Sequence, residues 1–473
     1  MATIEEGYYF ISIPGTNKVL DVRGDGQHNG VSIIAYEKHG GDNQKWRIEK
    51  CNDNFYKITG VSSGKVMESE RTEQTDSEAP PKVEICDYYG NRNQIWNIEK
   101  EENQYTFKNK DGLYLYIDDN NKVVGDSIIN TKFKLDRMVR FCVTSDLHIE
   151  KDKSKEDDWV KMMIAFDRLT PEFFAICGDL TDTNYSKEVE SVYHQINILE
   201  KVYNSTLICE GHGNHDGDRI KYPWDEQARN IVTNRNNIRA LRKPQWKWLF
   251  DTNKNYHNHY TWCIELINNV RIHFFMLNNV PGYGKIDKDK KEGDNARERD
   301  AYDSLSFLKT QLCNLKENDY YILFFHINFN VGERWWTEKS KEDLQKVIED
   351  KKFQAKYITS FFGHTHSTKD TYGKSVEERL LKTPYYGYRC KCSGGNGARY
   401  FNIVDLSIEN NKKEGNVLEC KITPKNVNTD EFPNNSLYLL NHNGITSEGG
   451  AYSSVTLRFQ LSTGKELNRI ATK

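Results

Sequence analysis

Apolar and polar positions follow one rhythm up to about residue 135 and another from about Met138 onward. In the first stretch, short apolar–polar alternations are cut by Gly, Asn and Asp turns. No amphipathic helix of useful length interrupts them, so short half-buried strands are expected throughout. Beyond Met138, continuous apolar runs alternate with segments of helical spacing. Strands are predicted at Arg140–Ser145 (RFCVTS), Phe173–Cys177 (FFAIC), Thr206–Glu210 (TLICE), Tyr320–His326 (YYILFFH) and Tyr357–His364 (YITSFFGH). Helices are predicted at Glu156–Leu169, Ser186–Val202 and Asp303–Asn318. Acids begin the first of these, where the helix dipole favours them, and Asp303 is read as the cap of the last. Such alternation implies a buried sheet with helices outside. The highly charged run Gly282–Asp300 reads as a solvated loop, and the tail from about Gly415 as further short strands and turns.

Composition narrows the class. Of 473 residues, 37% are hydrophobic and 12% aromatic, enough for a sizeable core and for two to four domains. A formal charge of -3 lacks the excess of Lys and Arg that phosphate backbones require, so nucleic acid is not expected as the main partner. No run is apolar and long enough to span a bilayer. The start, MATIEEGYYF, has neither a basic n-region nor an apolar h-region, so no secretory signal is expected there. Ten scattered Cys read most simply as free thiols in a reducing compartment such as the cytoplasm.

The first stretch contains a repeat. GDNQKWRIEK (Gly41–Lys50) returns about 50 residues later as NRNQIWNIEK (Asn91–Lys100), each with a Gln two residues before a Trp. A Trp ring filling a shared core, with polar neighbours tying the turn, accounts for this pairing. The pattern resembles the ricin B-type β-trefoil, whose three lobes each carry Gln-x-Trp. The third lobe, Gln104–Arg137, lacks the motif and offers Phe133 in place of the Trp. The resemblance implies a sugar site in lobe one: Asp21 to accept hydroxyl hydrogen bonds, Tyr36 to stack on the sugar face, then Asn43 and Gln44. Lobe two has Glu68 and Cys86 where the acid and the ring belong, and lobe three has no convincing set, so at most one glycan site is expected. The other reading is a trefoil kept for docking or spacing, with Tyr36 an ordinary exposed aromatic.

The second stretch ends each predicted strand in polar groups. These are SDLHIE (Asp146, His148), CGDLTD (Asp179), HGNHD (Asn214, His215), FFHIN (His326) and FGHTHS (His364, His366). Ligands of open α/β sheets gather beyond those strand ends. Carboxylate, imidazole and amide donors suit borderline divalent ions such as Mn, Fe, Zn or Ni. No Cys joins the set, which argues against a closed structural zinc. Gly178, Gly213 and Gly363 let backbone approach the centre.

The order D-x-H, G-D, G-N-H-D, H, G-H-x-H over about Arg140–Ser367 resembles the calcineurin-like metallophosphoesterase superfamily. The resemblance implies an α/β four-layer (αββα) sandwich after the trefoil. It also implies two divalent metal ions per chain. Asp146, His148, Asp179 and His366 would hold one; Asp179, Asn214, His326 and His364 would hold the other. His215 would face the substrate as general acid or charge stabiliser, with Asp216 either orienting its ring or capping the next turn. His212 lies outside the motif and is read as a supporting or surface residue. Two dications clamping phosphoryl oxygens and activating water fit hydrolysis of an anionic ester. GDLTDT and GNHD depart from the protein serine/threonine phosphatase forms, and no Tyr follows Gly178-Asp179 at purple acid phosphatase spacing. The sequence sits closer to the broad group of phosphodiesterases and phosphomonoesterases.

Trp335 and Trp336 either line a substrate pocket or pack a helix. Arg389 and the turn Gly394–Gly397 either form a rim or only join strands. The expected layout is a trefoil over residues 1–135 and a metallophosphoesterase domain over 138–473. The expected activity is a dinuclear metal-dependent phosphoester hydrolase with a possible glycan ligand. The alternative is a carbohydrate-binding protein whose phosphoesterase half is a scaffold.

Overall fold

The computed structural model describes residues 4–52, 54–70, 79–149, 169, 171–181, 186–202, 207–213, 215–216, 226–251, 259–277, 296–328, 338–350, 356–364, 377–379, 386–389, 400–411, 415–427, 445–447, 454–461 and 465–472. The chain divides into two compact units, Met1–Val139 and Arg140–Lys473.

The first unit is made of short strands and 3-10 turns. Its first strand, Gly7–Ser12, pairs with the end of the unit (Tyr8↔Met138 through Ser12↔Lys134) and with the strand Trp46–Asn52. Both repeats do the same physical job. Trp46 and Trp96 are fully buried, and their indole N–H groups donate to the carbonyls of Leu20 and Met67, each at 3.0 Å. A buried Trp thus has its one donor satisfied. The Gln two residues earlier braces the preceding turn: Gln44 Oε1 accepts the His39 N–H at 2.8 Å, and Gln94 Oε1 accepts that of Tyr89 at 2.8 Å. Phe133 is fully buried in the same core, edge-on to Phe107 at 5.4 Å.

The second unit contains two sheets. In one, Phe141–Thr144 lie parallel to Phe173–Ile176, which lie parallel to Leu207–Glu210. The other runs parallel through Arg271–Leu277, Asp319–Phe325, Tyr357–Phe362 and Tyr386–Arg389, with Tyr260–Glu265 antiparallel beside it in a seven-stranded sheet. Aromatic rings fill the space between them. Phe141 stacks on Phe173 at 4.7 Å and meets Phe274, Phe324 and Phe361 edge-on at 5.5, 5.9 and 6.0 Å. Behind the second sheet, Leu305, Leu308 and Leu312 of the helix Ala296–Cys313 and Leu344 and Ile348 of Glu338–Glu349 pack on Phe275, Tyr321, Leu323 and Phe325.

Two expectations are corrected. The helix predicted at Asp303–Asn318 runs Ala296–Cys313, so Asp303 lies inside it and the charged run does not stay loop to Asp300. Ala, Arg and Glu at its start are strong helix formers, but they carry no apolar periodicity to betray it. It stops early because the turn after it is tied down: the Asp319 carboxylate accepts the Lys316 N–H at 2.8 Å. The tail is also not all short strands. Gly415–Val427 pairs with Tyr400–Asn411 along its whole length. The predicted helix Glu156–Leu169 lies outside the described residues except for Leu169, as do Trp335, Trp336 and the turn Gly394–Gly397.

Buried charge fixes two places in this unit. Arg140 donates to both oxygens of Asp405, at 2.7 and 2.8 Å. Arg235, on the helix Glu226–Arg242, donates to Glu200 at 2.6 and 2.8 Å and to Glu210 at 3.2 Å, and Arg239 pairs with Glu210 at 2.5 Å. All of these side chains are buried. Glu210 ends the strand from which the GHGNHD segment departs, so the network anchors that departure point.

Candidate metal centre

The parallel strands deliver their polar residues to one edge. Asp146 and His148 follow Lys134–Thr144, Asp179 follows Phe173–Ile176, and His215 follows Leu207–Glu210. His326 follows Asp319–Phe325, and His364 follows Tyr357–Phe362. Asp146, Asp179 and His326 are fully buried and His148 nearly so. Four of these non-glycine residues hold left-handed backbone: Asp146 (φ 58°), His148 (φ 45°), Asp179 (φ 52°) and His364 (φ 72°). That conformation costs an L-residue about 1–3 kcal/mol and persists only where surroundings enforce it. Here they do so through backbone bonds between the loops: Asp146 N–H to Gly178 O at 2.9 Å, His148 N–H to Asp179 O at 3.0 Å, and Gly363 N–H to His326 O at 2.9 Å. A Cβ on Gly213 would overlap the Asp179 carboxylate, and one on Gly363 would overlap Asp146 and Ser145.

Asp179 is the junction. Its Oδ1 accepts the His215 N–H at 2.8 Å. Its Oδ2 lies 3.0 Å from His326 Nε2 and 3.6 Å from His148 Nε2, and among the described residues no donor satisfies it when both rings are neutral at Nε2. Two sets of ligand atoms meet there, His148–Asp179–His215 and Asp179–His326–His364, and within each set all atoms lie within 4.8 Å of one another. The rings of His148 and His215 are 4.6 Å apart, and those of His326 and His364 5.3 Å.

His326 Nδ1 lies 2.8 Å from the Cys177 carbonyl, which can only accept, so Nδ1 carries the proton. Nε2 of the neutral ring therefore turns a lone pair toward a carboxylate oxygen. Two such acceptors at 3.0 Å repel unless a proton or a metal cation lies between them. Without metal, burial alone would lower the His326 pKa, but Asp179 and Asp146 overcome it and push it up to about 9. Burial would likewise raise Asp179, but His326 and His148 hold it well below the usual carboxylate range. The donor set thus fits a divalent cation.

Asp146 brings its carboxylate to the same edge, 3.9 Å from His148 Nε2, with both oxygens receiving the His364 N–H at 3.0 and 3.1 Å. Neither set of ligand atoms includes it, and His215 stands in the first set instead. Asn214 and His366 lie outside the described residues. His212 is buried, with Nε2 3.0 Å from the Tyr193 hydroxyl, and burial pushes its pKa down to about 4. Ser145 went unnoticed in the sequence; its hydroxyl donates at 3.0 Å to the Cys177 carbonyl that also receives His326.

The first unit brings Asp21, Asn43 and Gln44 into contact. Asp21 Oδ2 accepts from Asn43 at 3.0 Å and from Gln44 at 2.9 Å. Gln44 is fully buried, and its amide also serves the turn, so it supports the acid rather than reaching outward. Tyr36 is 53% exposed. His39, missed in the sequence, sets Nε2 3.3 Å from Asp21 Oδ2 and its ring 6.2 Å from Tyr36. In lobe two, Gln94 donates to Glu68 at 2.8 Å in the same way, while Tyr89 takes the place of His39 and is 66% exposed.

Acid and imidazole donors converge beyond parallel strands into a His/Asp cluster that could hold a metal ion at a sheet edge. The family comparisons agree. Residues 139–368 match the model described as calcineurin-like phosphoesterase, and residues 2–84 match ricin-type beta-trefoil lectin domain-like. The chain therefore carries a metallophosphoesterase domain behind a ricin B-type lectin-like domain. Among solved structures, the designed 3-fold symmetric protein ThreeFoil is 27% identical, over 27% of this chain and 97% of that one, with a TM-score of 0.25. The Rhizoctonia solani agglutinin is 20% identical over 28% of this chain and 97% of that one, with a TM-score of 0.24. The exo-beta-1,3-galactanase from Clostridium thermocellum is 19% identical over 28% of this chain and 31% of that one, with a TM-score of 0.25. No curated protein matches the chain. Among the described residues, no helix is long and apolar enough to cross a membrane.

Proposed function

We propose that the chain is a phosphoester hydrolase using two divalent cations that share Asp179. The observation that carries this reading is the Asp179 carboxylate, common to both sets of ligand atoms, with one buried oxygen facing the imidazoles of His326 and His148 at 3.0 and 3.6 Å. His326 and His364 supply the remaining donors of one set. His148 would supply the other, with Asp146 beside it, and the family resemblance implies Asn214 and His366 as further ligands. The metals are Mn, Fe, Zn or Ni, the ions that such donors accept. When bound, the cations polarise the phosphoryl oxygens and make water nucleophilic near neutral pH. His215, half-buried at the rim, holds a proton for the departing ester oxygen.

The facing sheets with helices behind the second support an αββα sandwich for residues 138–473, preceded by a trefoil over 1–135. In lobe one, the Asp21 carboxylate lies against His39, whose ring sits edge-on to the exposed Tyr36 ring, which supports glycan binding there. Glycan capture would raise the local concentration of a linked phosphoester.

The test is turnover of p-nitrophenyl phosphate and bis-p-nitrophenyl phosphate with Mn²⁺ or Zn²⁺, alongside metal analysis of the purified chain. About two metals per chain with hydrolysis of either ester is expected. No metal and no turnover favours a scaffold that binds carbohydrate.

A further inference from the structure

Four hydrogen bonds converge on one buried carboxylate beside the metal site. Asp216 Oδ1 accepts the Thr181 N–H at 2.8 Å and the Thr181 hydroxyl at 3.0 Å. Its Oδ2 accepts the Leu180 N–H at 3.0 Å and the Gly213 N–H at 2.8 Å. Leu180 and Thr181 directly follow Asp179, and Asp179 Oδ1 in turn accepts the N–H of His215, the neighbour of Asp216. Each loop therefore grips the other's backbone with a carboxylate.

We infer that Asp216 is a positioning residue: the reciprocal clasp between residues 179–181 and 213–216 sets which Asp179 oxygen faces His148 and His326. The inference rests on the metal-dependent reading above. A carboxylate shared by two cations must present a defined oxygen at a defined angle, and its χ2 rotation is otherwise soft. With Oδ1 held by His215 N–H, Oδ2 is turned to the imidazoles. The same grip fixes the backbone that carries the His215 ring. Asp216 has its lone pairs occupied by loop donors, so it needs no contact with substrate to matter. Glycine at 213 is part of the device, because a side chain there would collide with the Asp179 carboxylate.

Asp216→Asn keeps the shape but puts an NH₂ group where two N–H donors point. Thr181→Val removes the hydroxyl that lies 3.0 Å from Asp216 Oδ1 and 3.3 Å from the His215 carbonyl, and leaves both backbones intact. Groups that orient metal ligands are worth about 10–100-fold in metal affinity or activity. Mn²⁺ binding is titrated by calorimetry on the full chain, with kcat and KM on p-nitrophenyl phosphate and thermal melts of the metal-free protein. D216N is expected to weaken Mn²⁺ binding and lower kcat by about 10–100-fold with KM little changed. T181V is expected to shift both in the same direction by a few-fold, with an unchanged metal-free melt. Wild-type Mn²⁺ affinity and kcat in D216N overturn the inference. If D216N does not fold, T181V decides: weaker Mn²⁺ binding at a wild-type melt supports the clasp, and unchanged binding overturns it. A wild-type chain that binds none of Mn²⁺, Fe²⁺, Zn²⁺ and Ni²⁺ instead sinks the metal-dependent reading itself.

Discussion

The backbone N–H of His364 is shared by both carboxylate oxygens of Asp146, at 3.0 and 3.1 Å, across 218 residues of chain. One ligand strand end thereby holds another in place. Asp146→Asn retains an acceptor for that N–H and tolerates the left-handed backbone, but removes the charge. The variant is expected to keep its fold, to unfold no earlier than wild type when metal-free, and to lose activity by at least about 100-fold, beyond what a supporting group costs. Elemental analysis and urea melts in EDTA check this; a D146N protein with full metal content would remove Asp146 from the ligand set.

Metal removal has a sign that can be read without substrate. Buried Asp146 and Asp179 lack a bound cation in the metal-free protein, so folding and metal binding are linked. At a free metal concentration 100-fold above Kd, the unfolding free energy should rise by about 2.7 kcal/mol. Denaturant melts with EDTA and with excess Mn²⁺ or Zn²⁺ measure the difference. Identical curves with all of these ions would mean that the edge binds none of them.

The Glu210 network predicts acid sensitivity. Burial alone would raise the Glu210 pKa, but Arg235 and Arg239 overcome it and bring it from 4.5 down to about 2. A depressed carboxylate stabilises the fold fully above the unfolded value of 4.5, and that contribution is lost as pH falls toward 2. Arg235→Met leaves Glu200 and Glu210 short of buried partners and should cost about 3–5 kcal/mol. Its acid dependence should also be shallower than wild type. Urea unfolding from pH 6 to 3 tests both; parallel curves for variant and wild type would contradict the assigned cause.

In lobe one, Tyr36→Ala touches an exposed ring. Stability should move by no more than about 0.5 kcal/mol. Glycan retention should weaken about tenfold, the equivalent of about 1.4 kcal/mol. A glycan array followed by affinity chromatography on a retained sugar reads this out. Equal retention by both proteins would take the ring out of the site.

Much of the centre was legible because its residues obey a local rule. Asp146, Asp179, His326 and His364 each follow an apolar strand within three residues, and Gly213 and Gly363 mark where no Cβ fits. The Trp46 and Trp96 repeats were legible for a related reason: a buried indole needs a fixed turn before it. Other features had no local signature. His39 reaches Asp21 only because the chain turns through Gly40 and Gly41, and Glu200, Glu210 and Arg235 meet only after three elements pack. The start of the helix at Ala296 was hidden by a charged run that looks equally at home in a loop. The left-handed backbone at four proposed ligands is imposed by neighbouring loops, and nothing in those side chains announces it.

The buried pair of Arg140 and Asp405 reaches past the segment that matches the phosphoesterase family, which ends at residue 368. A chain trimmed at that point would keep every proposed metal ligand while removing the carboxylate that receives two hydrogen bonds from a buried guanidinium. Such a fragment should precipitate or melt far below the full-length protein, and regain solubility when residue 140 is made apolar. The folded unit thus extends at least to the hairpin that carries Asp405, whatever the extent of recognisable kinship.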